Sequence, residues 1–223
     1  MAGLLDVFKM SLEGYRKDLV ASILFGLGIA FLRMLNLIPI LGAFIMAYLG
    51  PRLWSWYYNK TIGNINTDLN VAFSIWLKVH LILHIIYIIA LIFLFLALKD
   101  IFMLMSAVSG YTLYGDIGAL SNLSTYTYFF AILLLGIILL VIYILFIYTL
   151  YGSILGKVTE FKIYPEKSAI LFIYAFVWGF VFGIINGILG VLPFIGGILS
   201  TIFLLFFAYP MIELIIANKA KEL

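Results

Sequence analysis

Cysteine is absent from this chain of 223 residues. Its absence excludes disulfides, thiol catalysis and cysteine-ligated metals, and leaves the compartment open. Charge is scarce as well: 10% of the residues are Asp, Glu, Lys or Arg, against roughly 25% in soluble domains. With 66% hydrophobic residues and a mean hydropathy of +1.23, the chain lacks the polar atoms to cover a core in water. Lipid must be its solvent. The net charge of +3 comes without a basic cluster, so nucleic acid is not an expected partner. A nucleophile–base pair, a phosphate-binding glycine loop and a carboxylate dyad are missing too. A water-excluding enzyme needs several convergent titratable groups, so the sequence points away from catalysis and calls for no cofactor.

What the chain does have is long apolar runs. In hydrocarbon every backbone N–H and C=O must be satisfied within the protein, which leaves helices or a closed barrel. Runs of about 20 residues favour helices over barrel strands of roughly 10. The expected fold is an all-α integral membrane protein, a single membrane domain over 1–223 with about six transmembrane helices. Residues 1–18 place Leu4, Leu5, Phe8, Leu12 and Tyr15 at helical spacing among Lys9, Glu13, Arg16 and Lys17. That pattern fits an amphipathic helix lying in the membrane interface; the alternative is a frayed polar tail.

From Leu19 to Tyr58 the apolar run is too long for one span. Pro39 and Gly42 break it into helices over 19–37 and 40–58, joined by a tight apolar hairpin. Trp54, Trp56, Tyr57 and Tyr58 then suggest an aromatic belt at the bilayer surface. A helix over 72–98 completes a first half, 19–98. Residues 99–125, with Gly110, Gly115, Asp116 and Gly118, suggest a mixed outer connection. The second half, 126–223, holds helices over 126–151, 168–190 and 195–217.

The last two of these meet at a second apolar turn. Shifted by 154 positions, Pro39, Gly42 and Ala43 fall on Pro193, Gly196 and Gly197, which suggests a diverged repeat. Six spans put Lys9, Arg16, Lys17, Arg52, Lys60, Lys157, Lys162, Lys167, Lys219 and Lys221 on one side. Lys99 stands alone on the other. Basic residues mark the cytoplasmic face, so both termini are expected there, in a cell membrane. Both hairpins then run outward and back in the same sense, a parallel repeat.

The run Asn36–Gly42, the following helix to Trp56 and the second turn Leu192-Pro193-Phe194-Ile195-Gly196 resemble a prokaryotic multipass membrane family of unknown function. Its members carry a basic amphipathic lead-in and repeated L-I-P-x-x-G hairpins. That resemblance implies a membrane bundle without an assigned activity. The turn is also similar to one in the CysZ-type sulfate permeases, whose hairpins only partly enter the bilayer. There the likeness stops at the turn, since no matching anion-binding set is present; it offers an anion channel as an analogy.

Ionisable and polar groups inside lipid are the natural functional candidates. Arg33 lies about one helical turn below the first hairpin, Asn36 one turn above Arg33, and Asn186 at nearly the depth of Arg33 in the second half. Together they suggest an anion-attracting polar pathway at the outer mouth. The alternative is that Arg33 snorkels to headgroups and Asn186 bonds a neighbouring helix. His80 and His84 share a helix face, but a metal needs three or four ligands and few others are at hand; interfacial histidines bonded to loop carbonyls is the plainer reading. Lys78 and Glu213 share their depth and would complete an inner polar cluster. Gly179, Gly183 and Gly187 line one face of a helix and suggest close helix packing. Asn122-Leu123-Ser124 is a glycosylation sequon on the outer side. The functions to weigh are a small-solute or anion transporter or channel-like bundle, and a non-transporting scaffold, assembly or lipid-organising protein. The expected partners are the bilayer and either a second copy or another membrane protein.

Overall fold

The computed structural model describes residues 2–110, 117–193 and 195–223, with side chains outside 100–126. Every element among them is helical. The chain forms two compact units, Met1–His80 with Ile144–Leu223, and Leu81–Tyr143. The long helices α4 (Leu69–Gly110) and α5 (Ile117–Ile154) pass from the first into the second.

In the first unit, α1 (Leu4–Lys17) and α2 (Leu19–Leu35) meet at a bend of 100°. Asp18 makes the break. Its backbone is non-helical, and its side chain accepts from Ala21 N at 2.9 Å, capping the helix that follows. Such a cap satisfies a donor that the first turn would otherwise leave bare. The turn after α2 leads into α3 (Leu41–Thr61), and the turn after α6 (Pro165–Gly190) leads into α7 (Gly196–Phe203).

The two turns share a hydrogen-bond pattern at an offset of 154. Ile38 N donates to Leu35 O, Leu41 N to Pro39 O and Gly42 N to Ile38 O. Leu192 N likewise donates to Leu189 O, Ile195 N to Pro193 O and Gly196 N to Leu192 O. A Cβ on Gly42 would sit 2.8 Å from Asn36 O, and one on Gly196 would sit 2.6 Å from Gly190 O. Both turns close only on glycine. In the first, Ile40 takes a positive φ of 62°, an uncommon backbone state for a β-branched residue.

After α7 comes a π-helical turn, Leu204–Ala208, and then α8 (Tyr209–Glu222). Pro210 explains it: the ring lacks an N–H and crowds the carbonyl four residues back. The wider turn relieves that crowding, with Tyr209 N donating to Leu204 O. Two partners exploit the exposed carbonyls. Tyr15 OH donates to Phe206 O at 2.9 Å, and α2 presses Gly26 so close to Leu205 O that a Cβ there would lie 1.7 Å away.

Helix α1 runs antiparallel to α8. Lys219 Nζ donates to Ala2 O, Asn218 Nδ2 to Ser11 Oγ, and Gly14 faces Leu214. Val7 is buried with Phe182, Ala208, Met211 and Ile215, and Phe8, Leu12 and Tyr15 pack against them. Phe8 stacks on Trp178 at 4.2 Å. Most of the apolar face that the sequence suggested for the membrane interface therefore meets protein; Leu5 remains 67% exposed. The aromatic belt also changes place. Trp54, Tyr57 and Tyr58 are buried, drawn inward by polar partners in the core, and Trp56 alone of the four stays exposed.

Helices outrun their expected bounds around the 99–125 connection. There α4 continues to Gly110 and α5 starts at Ile117, while residues 111–116 and the Asn122 side chain lie outside the described residues. In the second unit Phe93 approaches Tyr128 at 6.2 Å, and Ile85, Ile92, Phe95, Phe130 and Leu133 present apolar side chains outward.

Four segments are long and apolar enough to cross a membrane: Leu69–Lys99, Thr127–Ile154, Pro165–Gly190 and Gly196–Glu222. A fifth arises if bent α1 and α2 act as one. Six were expected, and the first hairpin accounts for the difference. Its α2 has 17 residues, about 25 Å at 1.5 Å per residue, short of a hydrocarbon core of about 30 Å. Its α3 carries Arg52 and Lys60 and holds Pro51 within it.

Candidate functional site

Glu213 is the sole acidic residue between Glu166 and Glu222. Helix α8 carries it into the centre of the first unit, where it is 7% exposed. Burying a carboxylate is costly unless hydrogen bonds replace its water. Here Trp54 Nε1 donates to Oε2 at 2.7 Å and Tyr151 OH donates to the same oxygen at 2.5 Å. Tyr58 OH reaches the Glu213 backbone carbonyl at 3.4 Å. Trp54 and Tyr58 stand four apart on α3, so one helical face supplies both.

Aromatic rings seal the group. Phe25 meets Trp54 edge-on at 5.2 Å and stacks on Tyr57 at 3.9 Å, while Trp76 meets Trp54 at 5.4 Å. The Tyr57 hydroxyl lies 3.2 Å from Ser22 Oγ and donates to Pro210 O. Tyr209, one helical turn before Glu213 on α8, meets Arg33. Arg33 is itself exposed, with its guanidinium 4.4 Å from the centre of the Tyr209 ring. Arg52 sits over Tyr48 in the same manner at 3.8 Å, so the helices that carry Pro51 and Pro210 each set a tyrosine beneath an arginine. Ionised, Glu213 can only accept hydrogen bonds; protonated, it gains a donor. The site can therefore hold a proton in place.

The other sequence candidates scatter. Asn186 Oδ1 accepts from Ser200 Oγ at 2.8 Å within its own hairpin, whereas Arg33 engages Tyr209, so these two have separate partners. Asn36 caps α2, its backbone N–H donating to Leu32 O at 2.9 Å. Of the inner cluster, His80 is buried beside Trp76 and His84 beside Tyr87, while Lys78 is exposed over Phe161. Among the described residues no group of three or more His, Asp or Glu side chains is placed to hold a metal ion. Among the same residues a Cβ on Gly183 or Gly187 would meet nothing within 4 Å, and one on Gly179 only Ile212 Cδ1 at 4.0 Å.

Trp54, Tyr58 and Tyr151 are the residues that sequence reasoning missed. The available signal was Glu213 itself, a lone acid in an apolar helix that demands buried donors from somewhere. Helices able to cross a bilayer, one of them carrying a sealed ionisable side chain, define a polytopic α-helical membrane protein. Comparison with family models, curated proteins and solved structures finds no match for this chain.

Proposed function

We propose that the chain is a small-solute or anion transporter or channel-like bundle of a cell membrane, with both termini cytoplasmic. The observation that carries the proposal is Glu213, an acid sealed among Trp54, Tyr58 and Tyr151, one helical turn from the tyrosine that Arg33 meets. Charged side chains inside membrane helices are expensive, and they mark solute or proton pathways. In this reading Arg33 attracts the anion and Glu213 balances the arginine when the anion is away. Asn36 and Asn186 belong to the mouths of the two hairpins.

The hairpins are read as a diverged parallel repeat, supported by their common hydrogen-bond pattern, and they bring the membrane-embedded helices to six. Their turns are apolar and exposed, at Leu37, Ile38, Val191 and Leu192, which suits insertion into lipid. Each hairpin returns to the side it entered from, whatever depth it reaches, so the partition of basic residues stands either way. The test is flux of chloride and of sulfate into proteoliposomes. Arg33→Ala should lower it at least about tenfold, the loss of one charge-assisted contact. Unchanged flux would remove Arg33 from the pathway.

A second reading, a non-transporting scaffold or assembly protein, is favoured by the open glycine face of α6 at Gly183 and Gly187. Small residues in lipid serve close helix approach, and among the described residues this face has no neighbour. Purified protein without flux that captures one stoichiometric membrane partner, lost on Gly183→Leu, would favour it.

A further inference from the structure

A cleft of about 560 Å³ opens at the start of α4, away from Glu213, lined by Asn70, Val71, Ser74, Ile75, Lys78, Thr159, Glu160 and Phe161. Asn70, Ser74 and Lys78 recur every four residues and so share one helical face; Thr159 and Glu160 come from the segment between α5 and α6. The backbone amides at the helix start are already engaged, since the Asp68 carboxylate accepts from Asn70 N and Val71 N. Side chains must therefore supply any recognition in the cleft.

Lys78 and Glu160 line the same cleft without forming an ion pair; among the described residues that bond occurs between Lys219 and Glu222. A simple anion drawn to Lys78 would be repelled by Glu160, and a simple cation would meet the reverse. A ligand carrying both charges satisfies both. The hydroxyls of Ser74 and Thr159 and the amide of Asn70 add donors suited to phosphate oxygens. The cleft adjoins the start of the apolar segment Leu69–Lys99, and Phe161 in its lining is exposed. Apolar tails would find a continuation there.

We propose that this cleft binds the zwitterionic headgroup of a phosphoethanolamine lipid, its phosphate on Lys78, Ser74 and Asn70 and its ammonium on Glu160. Ethanolamine fits better than choline. A quaternary ammonium has no N–H to give Glu160 and relies on aromatic faces, and the Phe161 ring already lies under Lys78, 5.6 Å from Nζ.

The full chain, reconstituted in nanodiscs containing equal phosphatidylethanolamine, phosphatidylcholine and phosphatidylglycerol, is released into native mass spectrometry. Phosphatidylethanolamine should be retained about tenfold over the other two, the effect of one charge-assisted hydrogen bond. Lys78→Gln and Glu160→Gln should each abolish the preference while the unfolding temperature stays unchanged. Ser74→Ala should weaken it by a smaller factor. Equal retention of the three lipids, or a preference that survives both charge variants, would overturn the proposal. Displacement of the lipid by soluble phosphoethanolamine at matched concentration would assign the cleft to a free zwitterion and overturn its lipid form.

Discussion

Glu213 accepts two buried donors on one oxygen, and its replacement separates bonding from charge. Glu213→Ala strands Trp54 Nε1 and Tyr151 OH, each at a cost of about 1–3 kcal/mol, and should lower the detergent unfolding temperature sharply. Glu213→Gln keeps an acceptor oxygen and should cost less, while removing the charge. If the two variants unfold alike, hydrogen bonding is not what holds the acid in place. Gly26 is a second single-atom dependence. A methyl carbon there would stand 1.7 Å from Leu205 O, so Gly26→Ala must push α2 off the π-helical turn. Overpacking of this kind costs typically about 1–3 kcal/mol. Gly183→Ala, with open space around it, should leave the unfolding temperature of the isolated chain nearly unchanged, and the contrast between the two glycines is the measurement.

At the scale of the element, Pro210 produces the wide turn and Tyr15 uses the carbonyl that the turn exposes. Tyr15→Phe removes that bond, and by the usual net value it should cost about 1 kcal/mol; no change in the unfolding midpoint would mean that lipid or water takes the tyrosine's place. Helix positions were legible in the sequence because apolar length and the Pro–Gly breaks act locally. Pro39, Gly42, Pro193 and Gly196 fall at the turns where their chemistry puts them. The fate of amphipathic surfaces was not legible. Phe8 and Tyr15 could face lipid or protein with the same periodicity, and only the antiparallel packing of α1 on α8 decides it. Trp54, Tyr57 and Tyr58 misled for a related reason. An aromatic with a polar tip suits a headgroup layer and a buried carboxylate equally well, and the carboxylate lies 159 positions from Trp54 in the chain.

For the molecule as a whole, threading through the bilayer is the decisive property. The absence of cysteine makes single-cysteine labelling clean. Lys60→Cys should react with a membrane-impermeant maleimide only from the cytoplasmic side, and Lys99→Cys only from the outside. Reaction of both from one side would dismantle the topology. The π-helical turn finally bears on how the two ends of the second hairpin are geared together. A π-helical turn takes up one more residue than an α-helical turn, so the surplus is absorbed where it falls. Helix α8 beyond it keeps the face that offers Glu213 to Trp54 and Tyr151. The cost of the extra residue stays local, in the carbonyls that Tyr15 and Gly26 meet.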